Sequence, residues 1–112
     1  MTTRFVTFTT SFEGVHRWQD APERVGFLRH THRHVFHVEG KKTVSHGNRD
    51  VEFITLKHEV EQWLAKRWDY VDGIAQMGQM SCEMAAEEIA NEFGLAECIV
   101  TEDGENGGGV IL

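Results

Sequence analysis

The sequence predicts an α+β domain in which helices cover one face of an antiparallel sheet. Two observations carry this reading. Apolar residues alternate with a period of two towards both ends of the chain, and in the middle they recur every three or four residues. The resulting order of strand, strand, helix, helix, strand, strand is that of one sheet with a helical insertion. With 112 residues, 40% of them apolar, and three Trp and seven Phe, the chain can build one core, so residues 1–112 are expected to form a single domain.

Val6, Phe8, Thr10 and Phe12 share one parity among β-branched and aromatic neighbours, which predicts a first strand over residues 4–12. A connection containing the only proline, Pro22, leads to Thr31–Glu39, where His32, His34, Phe36 and Val38 again fall on one side. Gly40-Lys41-Lys42 then suggests a turn, and Ser45 to Asp50 a polar loop. The period next changes to that of an amphipathic helix, carried by Leu56, Val60, Trp63, Leu64, Trp68 and Val71. Ser81 is a candidate N-cap for a second helix that turns Cys82, Ala85, Ala86, Ile89 and Phe93 inward and stops at Gly94. Cys98, Val100 and Glu102 mark a third strand. Gly107-Gly108-Gly109 suggests a mobile turn before a short apolar end, Val110 to Leu112.

A net charge of −7 argues against a nucleic acid partner, because phosphate binding requires clustered Lys and Arg; a small-molecule ligand is expected instead. No apolar run approaches the ~20 residues that cross a bilayer, and the N-terminal segment lacks the apolar core of a signal peptide. Cys82 and Cys98 have neither disulfide-framework nor thiolate-zinc spacing, which fits a reducing, cytoplasmic setting.

The histidines carry the chemical signal. Four of seven, His30, His32, His34 and His37, fall within one short segment. In an extended chain His32 and His34 project from the same face and can reach one ion, while His37 points away. His16 has the parity of Phe12 and Gly14, and a hairpin would set it beside the second strand. Three imidazoles with an open fourth position describe a catalytic or ligand-binding zinc site on His16, His32 and His34. His30 stands to His32 as His32 stands to His34, so spacing leaves the earlier pair open as an alternative. Gly26, His32, His34 and Glu39 also follow the spacing of a cupin metal motif, but two amphipathic helices do not suit an all-β barrel.

Five segments in order resemble the 6-pyruvoyl-tetrahydropterin and 6-carboxy-tetrahydropterin synthase family. Phe12-Glu-Gly-Val-His16 is similar to its F-x-A-x-H opening, and His32-Arg-His34-Val-Phe36 to its H-G-H-x-aromatic segment. Val51-Glu52-Phe53 through Leu56-Lys57 resembles V-x-D-F-x-x-L-K with one residue fewer after the valine, Ser81-Cys-Glu83-Met-Ala85-Ala86 resembles T-x-E-x-x-A, and Val100-Thr-Glu102 resembles the first three positions of V-x-E-T. The resemblance implies the tunnelling fold, a four-stranded antiparallel sheet with two helices between strands two and three. It also implies a homo-oligomeric barrel, trimeric or hexameric, with sites between subunits. It implies Zn2+ on the three histidines, a pterin-like ligand whose guanidine-like edge meets Glu102, and lyase chemistry on dihydroneopterin triphosphate.

The sequence departs from the family's acid-base set. No cysteine lies between Arg17 and Thr31, and the Asp-His pair after the first helix aligns with Asp69-Tyr70, so the histidine is missing. Some branches use a glutamate for the cysteine, which makes Glu23 a catalytic candidate beside Asp69. Cys82 is expected on the buried side of the second helix and cannot stand in. A pterin synthase-like enzyme, a non-catalytic zinc- and pterin- or purine-binding relative, and a structural oligomer are the three readings that follow.

Overall fold

The computed structural model describes all residues, Met1–Leu112. The first strand, β1 (Arg4–His16), runs antiparallel to β2 (His32–Val44), and a 3-10 helix at Glu23–Arg29 lies in the connection. Helix α1 (Phe53–Arg67), a short hairpin of β3 (Tyr70–Val71) and β4 (Ile74–Gln76), and α2 (Cys82–Phe93) follow. A final hairpin of β5 (Glu97–Glu102) and β6 (Asn106–Ile111) completes the chain. The strands form one six-stranded sheet in the order β3-β4-β1-β2-β5-β6. All neighbours are antiparallel except β4, which runs parallel to β1 through Gly14 and Val15, so the sheet is mixed.

The predicted strands and helices occur in the expected sequence, but a hairpin of two further strands separates the helices, and the sheet is neither four-stranded nor purely antiparallel. The two extra strands come from a segment whose start the apolar period assigns to the first helix. That helix ends at Arg67, Trp68 is already extended, and Val71 lies in β3 rather than on a helical face. The cause is local: Asp72 and Gly73 take positive φ of 51° and 78° and close a two-residue hairpin between Val71 and Ile74. An Asp-Gly pair is well suited to such a turn.

One face of the sheet carries the core. Phe8 of β1, Phe36 and Val38 of β2, and Cys98 and Val100 of β5 are buried against Leu56, Val60 and Leu64 of α1 and Cys82, Ala85, Ala86, Ile89 and Ala90 of α2. The opposite parity (Thr7, Thr9, Ser11, His37, Glu39) is exposed. Both helices begin on caps. Glu52 accepts hydrogen bonds from the Ile54 and Thr55 amides at 2.9 and 3.0 Å, and Ser81 Oγ accepts from the Met84 amide at 3.1 Å. Gly94 ends α2 in the left-handed region at φ 62°, as the sequence predicts.

Two glycine readings change. Gly40-Lys41-Lys42 is no turn: β2 runs straight through it, and Gly40 pairs with Phe8. The missing side chain makes room for that ring, since a Cβ at residue 40 would sit 2.4 Å from a Phe8 carbon. Gly107 to Gly109 likewise lie inside β6, and a Cβ at Gly107 would meet the Val100 carbonyl oxygen at 2.0 Å. The actual turn is Asp103-Gly104-Glu105. Glycine inside a strand often marks the close approach of another group.

Candidate metal centre

The β1–β2 register sets His16 opposite His32, Gly14 opposite His34 and Phe12 opposite Phe36. All six side-chain positions share the helix-covered face, so the three imidazoles gather at the end of β1 and the start of β2. Ring centroids are 4.5 Å apart for His16 and His32, 5.1 Å for His32 and His34, and 5.5 Å for His16 and His34. Glu102, the last residue of β5, pairs with Phe36 across β2 and joins the group. One donor atom from each of His16, His32, His34 and Glu102 lies within 4.8 Å of all the others, a grouping that can hold a metal ion.

Second partners fix the rings. His16 Nδ1 lies 2.8 Å from the Met80 carbonyl oxygen, His32 Nδ1 2.8 Å from the His30 carbonyl oxygen, and His34 Nδ1 2.7 Å from Asp103 Oδ2. Carbonyl oxygens only accept, so Nδ1 of His16 and His32 carries the proton, and an ionised Asp103 imposes the same on His34. In the neutral rings Nε2 is then a bare lone pair, the form that binds metal. The Nε2 atoms of His16 and His34 are buried and have no hydrogen-bond partner.

Electrostatics point the same way. His16 Nε2 stands 3.0 Å from Glu102 Oε2 and His34 Nε2 3.6 Å from Oε1, neither aligned as a hydrogen bond. A lone pair facing a carboxylate is repulsive unless a cation lies between them. A proton would serve, but burial lowers the pKa of His16, outweighing the opposite pull of the Met80 carbonyl and the Glu102 charge. A divalent ion meets the need without charging a buried ring. Tetrahedral zinc with donors about 2.0–2.1 Å away sets them roughly 3.4 Å apart, so the widest pair need close by at most about 1.4 Å. Three imidazoles and a carboxylate suit zinc among the common ions.

The centre opens into a cavity of about 530 Å³, bordered by His16, His32 and Glu102. Trp18, Leu28, Met80 and Met84 give it apolar walls, and Gln79 and Asn106 give it polar groups. Its size lies in the range that accepts a small organic ligand. Cys82 also borders it, yet burial, helped by the charges of Glu102 and Glu83, pushes this thiol up to about 12, so it stays protonated and is a poor nucleophile.

The three histidines named from spacing are thus brought together. His30 is exposed and contributes its backbone carbonyl, while its side chain is no part of the group. Glu39 lies on the exposed face, opposite to His32 and His34, which removes the cupin-type ligand set. Glu102, expected to meet a ligand, borders both the histidines and the cavity. Glu23 and Asp69, the catalytic candidates, are exposed and border neither. Asp103 and the Met80 and His30 carbonyls are what the sequence did not reveal. A carbonyl carries no residue signal, and Asp103 followed by glycine reads only as a turn. Compared with known proteins, the chain matches no family model and no curated protein.

Proposed function

We propose that the protein binds zinc through His16, His32 and His34 and holds a pterin-like bicycle in the cavity beside the ion, in the manner of a pterin synthase-like protein. The observation that carries this is the convergence of three imidazoles whose Nδ1 atoms are all engaged elsewhere, two of which, His16 and His32, border a ligand-sized cavity. The five resembling segments supply the ligand class. Bound zinc would polarise a hydroxyl or keto oxygen of the ligand side chain.

The chain's own residues bind more convincingly than they catalyse. The apolar walls suit the faces of a flat bicycle, and the Glu102 carboxylate can accept the paired N–H groups of a guanidine-like edge. The resembling family's proton-transfer positions are not matched in the cavity, since Cys82 is a protonated thiol and Glu23 and Asp69 lie elsewhere. Positioned acid-base groups supply ~10²–10⁴-fold each, so turnover of dihydroneopterin triphosphate should fall several orders of magnitude below that of an enzyme with a full set.

A second reading rests on the proximity of Glu102 to His16 and His34. As a fourth protein ligand it would close the coordination sphere and make the zinc structural. Calorimetric titration of zinc-loaded protein with a pterin, together with metal analysis, separates the two. Under the first reading Glu102→Gln keeps its zinc and loses the pterin; under the second it loses zinc and the wild type binds no pterin. Turnover of the triphosphate at an ordinary enzymatic rate would refute the binding-only outcome and direct mutagenesis to Glu83, a carboxylate that lines the cavity.

A further inference from the structure

We infer that Asp103 is the positioning residue of the metal centre: its carboxylate holds His34 in the metal-binding tautomer and strengthens it as a donor. The inference rests on the zinc reading above. Of the three Nδ1 partners, two are neutral backbone carbonyls, and Asp103 alone is charged. A carboxylate behind a ligating imidazole raises its basicity as well as orienting it.

The backbone is shaped for this task. Asp103 takes φ 56°, a left-handed conformation that Asp and Asn tolerate better than most side chains, in the turn between β5 and β6. Its amide donates to the Val35 carbonyl at 2.8 Å, and Oδ1 accepts the Val35 amide at 2.9 Å. Oδ2 is left for His34 at 2.7 Å. Three bonds thus tie one turn residue to two consecutive residues of β2. The preceding residue is Glu102, so a single turn aims one carboxylate at the Nε2 side of His34 and the next at its Nδ1 side.

The plain alternative is an ordinary Asp-Gly turn in which Asp103 merely latches the Val35 amide. Two variants separate them. Asp103→Gly keeps the left-handed backbone without strain and removes the acceptor, while Asp103→Asn keeps a neutral acceptor. Zinc affinity is read by chelator competition, and the ring N–H protons are read as shifted exchangeable NMR signals of the cobalt-substituted protein. We expect a 10–100-fold weaker affinity for Asp103→Gly, a smaller loss for Asp103→Asn, and three ring N–H signals in the wild type falling to two in Asp103→Gly. Unchanged affinity with all three signals in Asp103→Gly would reduce Asp103 to a turn residue. Equal affinity of wild type and Asp103→Asn would remove the charge from the inference. A wild type that takes up neither zinc nor cobalt would overturn the metal reading and this inference with it.

Discussion

Replacing His34 by alanine should abolish zinc-linked stabilisation, whereas replacing His30 should leave it intact. His34 supplies one of only three Nε2 donors, and its loss leaves a site of His16, His32 and Glu102 with Asp103 stranded behind it. His30 supplies a carbonyl at 2.8 Å from His32 Nδ1, and alanine supplies the same atom. Zinc at a hundredfold excess over its Kd stabilises the folded form by about 2.7 kcal/mol. In a domain of this size each kcal/mol moves Tm by roughly 4 °C, so zinc should raise the wild-type Tm by about 10 °C. The assay is a set of thermal melts with chelator and with zinc, beside metal analysis of the purified proteins. Wild type and His30→Ala should each hold one zinc per chain and show the shift, and His34→Ala should show neither. Full zinc content in His34→Ala, or its loss in His30→Ala, would refute the ligand assignment.

Gly40→Ala should cost about 1–3 kcal/mol, because its methyl would overlap a Phe8 ring that is itself only 5% exposed; a turn at this position would instead gain about 0.4–1 kcal/mol, so melts decide by sign. The Ile54 and Thr55 amides lower the pKa of Glu52, so its contribution is present above its ordinary value and is lost as pH falls through the lowered one. Acid titrations followed by circular dichroism should therefore show a shallower loss of stability at low pH for Glu52→Gln than for the wild type, and identical slopes would contradict the cap. Light scattering at micromolar concentration should find a trimer or a multiple of it, since β1 has no outer partner from Arg4 to Glu13 and β6 has none beyond β5. A stable monomer would refute barrel closure.

Period-two and period-3.6 patterning revealed most of the fold because burial on one face enforces it, and failed where backbone conformation outweighed burial. Phe8, Phe36, Val38, Cys98 and Val100 are all on the buried face, as their parity demands. Val71 follows the helical period of α1 by coincidence, and the signal that outranked it was Asp72-Gly73, the turn that makes β3 and β4 a hairpin. The glycines mislead for the opposite reason. Gly40 and Gly107 are needed for close approach within strands, and the sequence alone does not distinguish room for a neighbour from freedom to turn.

The histidine cluster is legible for a deeper reason than residue count. Register is strongly specified where one face is buried, because a one-residue slip would turn that whole face to solvent. Here the same register that seats Phe36 at 0% exposure sets Phe12 opposite it and His16 opposite His32. The core and the histidine cluster are therefore one constraint, and the parity that exposes the first exposes the second. What stayed hidden depends on a different kind of contact. The Met80 carbonyl reaches His16 from a segment 64 residues away, and Asp103 reaches His34 across 69 residues, through turn geometry that no spacing encodes. Spacing thus names the candidate ligands, and the three-dimensional turns decide which nitrogen each one offers.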